Sequence, residues 1–209
     1  MDNPYKNNEN IKSCIILCGG QSKRMGQDKG SMIINNQPMI KHILATLNYE
    51  INEAIIVLND RKRIEKYSKF INITDYDYKI TFCEDKIKNK GPLPGIMTGL
   101  EYITSNYALI LPCDSPYITK KYIKTIFNEI DENYQAIVPY HNIENKIKTT
   151  EPLHSIYNKN TLPIINELIN KDILHIKGLI EKIDTKYVLI DNKKIEKKEF
   201  RNLNRLEDI

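Results

Sequence analysis

Ile15-Ile16-Leu17-Cys18-Gly19-Gly20-Gln21-Ser22-Lys23-Arg24-Met25-Gly26-Gln27-Asp28-Lys29-Gly30 is the stretch on which the reading of this chain turns. Its apolar start, 14–18, reads as a buried strand, and two glycines follow at once. Glycines directly after a buried strand let the backbone bend sharply and approach a ligand, with N–H groups turned toward oxygen atoms. Lys23, Arg24 and Lys29 then supply cations, Arg24 as a planar fork and Lys29 as a mobile point charge. That pairing suits a polyphosphate. A Walker loop is excluded, because Gly26 is followed by Gln27 and Asp28 rather than Lys and Ser or Thr. A dinucleotide fingerprint is excluded as well, because Gly19 and Gly20 are adjacent and Lys23 falls near the third glycine slot.

Outward from this stretch, apolar runs recur at 13–18, 54–58 and 108–112. Continuous runs, rather than alternating ones, suit strands covered on both faces. Between them, 38–47, 61–70, 92–104 and 119–130 carry helical spacing, with Pro38 and Thr119 as start signals. Strands alternating with helices of about ten residues predict βαβ units in a Rossmann-like, three-layer α/β/α arrangement with a mainly parallel central sheet. Right-handed crossovers bring the ends of such strands to one edge, so Gly19-Gly20, Asn59-Asp60 and Cys113-Asp114 are expected side by side. In the second half, 135–140 and 187–191 read as strands and 153–157 as a further candidate. Residues 162–170 and 173–183 read as helices, the latter weakened by Gly178. Residues 1–10 read as a polar, flexible tail ahead of a single domain at 11–209.

With 209 residues, 41% apolar and 28% charged, the composition is that of a soluble globular protein. A net charge of +4 suits an anionic small molecule and is too weak and dispersed to argue for nucleic acid. Cys14, Cys18, Cys83 and Cys113 form no Cys-x-x-Cys, and buried free thiols are expected. The four histidines show no ligand spacing. No signal peptide or membrane-spanning run is present, so a cytoplasmic location is expected.

Asp114, in Leu-Pro-Cys-Asp-Ser-Pro at 111–116, places a carboxylate at the end of a buried strand, where Mg²⁺ would take it together with phosphates and water. The other reading is an Asx-turn that caps the following loop or helix. Gly91-Pro92-Leu93-Pro94-Gly95 is either a stiff floor for a nucleotide or an ordinary helix-start turn.

These residues closely resemble the signature loops of the MobA family, the molybdenum cofactor guanylyltransferases. The resemblance is carried by Leu-x-Gly-Gly-x-Ser-x-Arg-Met-Gly-x-Asp-Lys, Cys-Asp-x-Pro and Gly-Pro-Leu-x-Gly. It implies a nucleotidyltransferase fold, with Lys29, Arg24 and Asp114 catalytic and Asp114 holding Mg²⁺. It further implies nucleotide contacts from Leu17, Cys18, Gly19, Gly20, Asn59, Asp85, Gly91 and Gly95 alongside Lys29 and Asp114. Asn202 and Asn204 resemble an Asn-x-Asn segment assigned to the pterin, although Arg205-Leu206 stands where Thr-Pro is usual. A frayed polar end is the other reading there. Glu151-Pro152-Leu153 matches a further family segment more weakly. Pro94 stands where a small residue is usual, and Cys18 where Ala is.

The activity so implied is transfer of GMP from GTP to molybdopterin or its molybdenum-loaded form, with release of pyrophosphate. Gly19 favours GTP over CTP, since related cytidylyltransferases carry Leu-Ala-Ala-Gly. Other cofactor-biosynthesis proteins are implied as partners, and a monomer is expected. The alternatives are a cytidylyl- or sugar-nucleotide transferase on the same scaffold, or a GTP-binding module without turnover.

Overall fold

A computed structural model describes residues 11–19, 28–88, 90–143, 147–190, 200 and 203. The expected tail at 1–10 lies outside them. The first half runs β1 (Ser13–Cys18), β2 (Ile33–Ile34), β3 (Gln37–Pro38), α1 (Met39–Leu47), β4 (Glu53–Leu58), α2 (Arg61–Phe70) and β5 (Lys79–Glu84). It continues through α3 (Pro92–Tyr102), β6 (Tyr107–Pro112) and α4 (Lys120–Asn128). The second half holds β7 (Ala136–Ile143), β8 (Ile147–Thr150), β9 (Ile156–Asn158), α5 (Leu162–Asn170), α6 (Ile176–Ile180) and β10 (Thr185–Leu189).

The main sheet has the order β10-β7-β9-β6-β1-β4-β5, with β8 added on β7, while β2 and β3 form a separate hairpin. Strands β1, β4, β5 and β6 are parallel neighbours, as the apolar runs predict. Strand β9 enters antiparallel between β6 and β7, and β10 returns parallel to β7. The sheet is thus mainly parallel, with an antiparallel insertion in its second half.

Successive residues of a strand point to opposite faces, so each central strand feeds two cores. Ile16, Ile56, Leu109 and Leu111 pack on one face with Ile40, Ile43 and Leu44 of α1, Tyr67 of α2 and Ile123 and Ile126 of α4. Ile15, Ile55, Val57, Ala108 and Ile110 pack on the other with Leu93, Ile96 and Leu100 of α3, Ile165 and Leu168 of α5 and Leu179 of α6. Each of these larger aliphatic side chains contributes roughly 1.5–3 kcal/mol by leaving water. This accounts for the sheet sitting between two helical layers.

Several expected boundaries move, each for a local reason. Helix α3 ends at Tyr102 rather than 104, because the Thr104 N–H donates to Glu53 Oε1 at 2.6 Å instead of continuing the helix. The helix expected at 173–183 shrinks to α6, since His175 Nδ1 accepts from the Gly178 N–H at 3.0 Å and caps a new start. The strand expected at 153–157 is a single 3₁₀ turn, Pro152–His154, followed by β9, because proline suits a first helical turn. The last strand lies at Thr185–Leu189 rather than 187–191. All four cysteines are buried free thiols, as expected. Among the described residues no helix is long and apolar enough to cross a membrane.

Candidate active site

The parallel strands end together. The Cys113 N–H donates to the Leu17 carbonyl at 3.1 Å, and the Asp85 N–H to the Leu58 carbonyl at 2.7 Å. These bonds tie the segments leaving β1, β4, β5 and β6 into one edge, which carries Gly19, Asn59, Asp85 and Asp114. The three elements expected to converge do so.

Beyond β6, Lys29 Nζ lies 2.7 Å from Asp114 Oδ2, with the two side chains 21% and 13% exposed. A charge-assisted pair at this depth is weakly screened, and it joins the end of the glycine-rich stretch to the end of β6. Asp114 does not cap α4, because the N-cap of that helix is Thr119, whose side chain accepts from the Tyr122 N–H at 3.2 Å. Behind Asp114, Ser115 is fully buried and its Oγ lies 2.9 Å from His154 Nε2. Burial, reinforced by nearby His141, pushes the His154 imidazole down to about 3. It is therefore neutral near pH 7.

On the β4–β5 side, a different pair of groups faces the same glycine. A Cβ placed on Gly19 would come within 2.7 Å of Asn59 Oδ1 and 3.8 Å of Asp85 Oδ2, so only glycine leaves that space open. Asn59 Oδ1 is buried and has no hydrogen-bond partner among the described residues. Asp85 Oδ1 accepts from the Ile87 N–H and the Thr98 hydroxyl, each at 3.2 Å. Asp85 Oδ2 points toward Gly19 and toward Gly95, 3.6 Å from where a Cβ on that residue would sit. Burial raises the Asp85 carboxyl above its ordinary range, partly offset by those hydrogen bonds. The result is a recess walled by two oxygen acceptors.

Of the Gly-Pro-Leu-Pro-Gly segment, the helix-start reading holds at its first glycine. Gly91 is the N-cap of α3, with φ of 76°, and a Cβ placed on it would come within 3.2 Å of the Leu174 carbonyl oxygen, so glycine shapes the helix start. Gly95, one turn later, faces Leu17 and Asp85 in the recess. Gly20 and Arg24 lie outside the described residues, as do Asn202 and Asn204. Leu203 between those two asparagines is buried with Met32, Ile34 and Met39, and its N–H donates to the Asp114 carbonyl at 2.9 Å. Glu151 lies 3.7 Å from His141 Nε2 and 3.8 Å from His154 Nδ1. Burial raises its carboxyl to about 7.

Sequence reasoning passed over Thr98, Ser115 and His154, which support Asp85 and Asp114 from behind and carry no motif of their own.

The family described as the MobA-like NTP transferase domain matches residues 14–185. A probable molybdenum cofactor guanylyltransferase from Methanothermobacter thermautotrophicus is 31% identical over 202 residues, covering 95% of this chain and 98% of that protein. The molybdenum cofactor guanylyltransferase of Aliivibrio fischeri is 29% identical over 160 residues, 76% of this chain and 75% of that one. Among solved structures, molybdopterin-guanine dinucleotide biosynthesis protein A from Archaeoglobus fulgidus aligns with a TM-score of 0.74 at 22% identity, over 95% of this chain and 94% of that one. A 4-diphosphocytidyl-2C-methyl-D-erythritol synthase from Anaerococcus prevotii aligns at 0.70 with 13% identity, over 95% and 94% of the two chains. These structural likenesses show the nucleotidyltransferase fold, and the sequence match carries the assignment further: the chain belongs to the family of MobA-like NTP transferase domains.

Proposed function

We propose that this chain transfers GMP from GTP to the phosphate of molybdopterin or its molybdenum-loaded form, releasing pyrophosphate. The observation that carries the choice of GTP is the recess at Gly19, where the buried Asn59 Oδ1 and Asp85 Oδ2 both present acceptors. Guanine offers adjacent donors there, its ring N–H and its amino group, whereas adenine and cytosine edges offer no such pair. The names of relatives at about 30% identity, 31% for the Methanothermobacter protein, support the same choice.

The chemistry asks little of a general base, because the acceptor phosphate is already an anion. What it asks for is alignment of two anions and stabilisation of charge on the leaving pyrophosphate. Lys29 is held within 2.7 Å of Asp114 and supplies positive charge where the triphosphate would cross from Gly19 to the end of β6. Asp114 fits a Mg²⁺ site on its donor chemistry. It is a single carboxylate on a buried strand end, and among the described residues no group of three or more His, Cys, Asp or Glu forms a full protein cage. Mg²⁺ binds in this manner, through one or two carboxylates, water and substrate phosphates. When bound it would neutralise phosphate charge. The bond from the Leu203 N–H to the Asp114 carbonyl brings Leu203 to the end of β6, in the segment to which the family resemblance assigns the pterin.

The reading is tested by incubating the protein with α-labelled GTP, molybdopterin and Mg²⁺. Label is expected to move to the pterin. EDTA should abolish transfer, and added Mg²⁺ should restore it. Label that remains in GTP under all conditions would leave a binding module in its place.

A further inference from the structure

Helix α3 buries the run 93–100, and Thr98, with no exposed surface, is the one polar side chain in it. A threonine inside a helix commonly returns its hydroxyl to the carbonyl four residues back. This one reaches instead to the segment that leaves β5. Thr98 Oγ1 accepts from the Lys86 N–H at 3.3 Å and donates to Asp85 Oδ1 at 3.2 Å. A hydroxyl has one hydrogen and an ionised carboxylate only accepts, so the direction of both bonds is fixed. The Ile87 N–H donates to the same oxygen at 3.2 Å. Both hydrogen bonds given to the Asp85 side chain by described residues thus end on Oδ1. Its other oxygen, Oδ2, faces the recess, 3.8 Å and 3.6 Å from where Cβ atoms on Gly19 and Gly95 would sit. Gly95 stands three residues before Thr98, on the same face of α3, so one helix both opens the recess and sets the carboxylate that walls it.

We propose that Thr98 is a positioning residue for base selection: together with the Ile87 N–H it engages Oδ1 of Asp85 and leaves Oδ2 alone to meet the ligand. Two single acceptors then wall the recess, Asn59 Oδ1 and Asp85 Oδ2, one for each of two adjacent donors on a purine edge. That the purine is guanine rests on the guanylyl-transfer reading; the hold on the carboxylate does not. A carboxylate free to turn about its terminal torsion offers either oxygen, and it must be ordered as the base arrives. Fixing it beforehand removes that cost and keeps it from following an edge with a different donor pattern. The Thr98 bond also favours the charged form of Asp85, against the burial that raises its carboxyl. Lys88 acts in the same sense, and the Cys83 thiol, pushed up by burial to about 12, is neutral where the carboxyl titrates.

The test compares wild type with Thr98→Val, which keeps the shape and loses the hydroxyl, and Thr98→Ser, which keeps the hydroxyl. Calorimetric titration with GTP or ATP, each with Mg²⁺, reads binding. Carboxyl-carbon NMR of the nucleotide-free proteins reads the protonation of Asp85. Thr98→Val is expected to weaken GTP binding about tenfold, the size of one hydrogen bond to a charged group, with ATP held within about twofold. Thr98→Ser should bind both nucleotides within about twofold of wild type. When Asp85→Ala is already present, adding Thr98→Val should change GTP binding by less than about twofold, because the hydroxyl acts through that carboxylate. In the nucleotide-free chain the Asp85 carboxyl should titrate higher in Thr98→Val than in wild type or Thr98→Ser. Equal losses for GTP and ATP in Thr98→Val, or a loss in Thr98→Ser as large as in Thr98→Val, would assign Thr98 to packing and overturn the proposal. An Asp85 titration unmoved in Thr98→Val overturns it too, whatever the base proves to be. Should Thr98→Val melt early, Thr98→Ala removes the same hydroxyl and is read in the same way. A wild type that binds GTP no tighter than ATP refutes the guanine reading, and the Asp85 titration then judges the hold by Thr98 alone.

Discussion

The sheet is built from two regions of different character. Strands β1, β4 and β6 are buried along almost their whole length and run parallel, and the segments leaving them and β5 carry Gly19, Asn59, Asp85 and Asp114. Strands β7 to β10 mix directions, and β10 leaves Tyr187 and Leu189 about half exposed, at 47% and 49%. A parallel array needs its faces covered, and its strand ends must then gather at one edge, so order and chemistry arrive together. The second region closes the sheet and braces the first from behind, through contacts such as His154 with Ser115. The difference teaches that in this chain the proposed chemistry falls to the edge of the parallel strands and the support to the mixed ones.

That division can be broken by substitution. The largest effect is expected at the pair joining the loop to β6: Lys29→Met should lower the turnover of guanylyl transfer by at least about 10²-fold at an unchanged melting temperature. Comparable turnover by this variant would detach the pair from the reaction. A smaller effect sharpens the role of the recess. Asp85→Asn replaces one acceptor oxygen by a donor amide and should weaken GTP binding about 10- to 10²-fold, measured by calorimetric titration, with little change for ATP. Stability should divide along the same line. Ile55→Val, in the buried face of β4, is expected to cost about 1 kcal/mol in denaturant unfolding, while Leu189→Ala on β10 should stay within about 0.5 kcal/mol.

A separate effect is one of pH, and it belongs to the supporting region. The Glu151 carboxyl, raised to about 7 by burial, binds a proton in the folded chain that the unfolded chain releases near 4.5. Between those values the folded state holds more protons, so this group's contribution is present below pH 4.5 and is lost as pH rises through 7. His154, lowered to about 3, acts in the opposite sense and weakens the fold as pH drops below 6.5. Glu151→Gln should therefore melt higher than wild type at pH 8 and show no such gain at pH 5. An equal gain at both values would mean that ionisation of Glu151 is not the cause.

The same division decides what could be read in the sequence. Runs such as Cys14–Cys18 and Ala54–Leu58 announce doubly covered strands without any partner being known, and glycine and aspartate just past them mark the edge. Strand β9 has three residues and pairs antiparallel on both sides, which no local pattern specifies. The Pro152–His154 turn and the cap at His175 depend on contacts or geometry that periodicity does not report. At the proposed site, the placement of Lys29, Asn59, Asp85, Gly19 and Asp114 at one edge was legible because each follows a strand or a glycine bend. Thr98 and His154 were not, because they act from a helix and from a distant turn on residues far away in the chain. Arg24, Gly20, Asn202 and Asn204 fall outside the described residues.

The account turns on which nucleotide the parallel edge accepts, and the most direct measurement is molybdopterin-dependent pyrophosphate release by the wild-type protein with GTP, CTP, UTP and ATP in turn, each with Mg²⁺. Release is expected with GTP and at least about 10²-fold less with the other three. Release from CTP as fast as from GTP would contradict the guanine recess formed by Asn59 and Asp85.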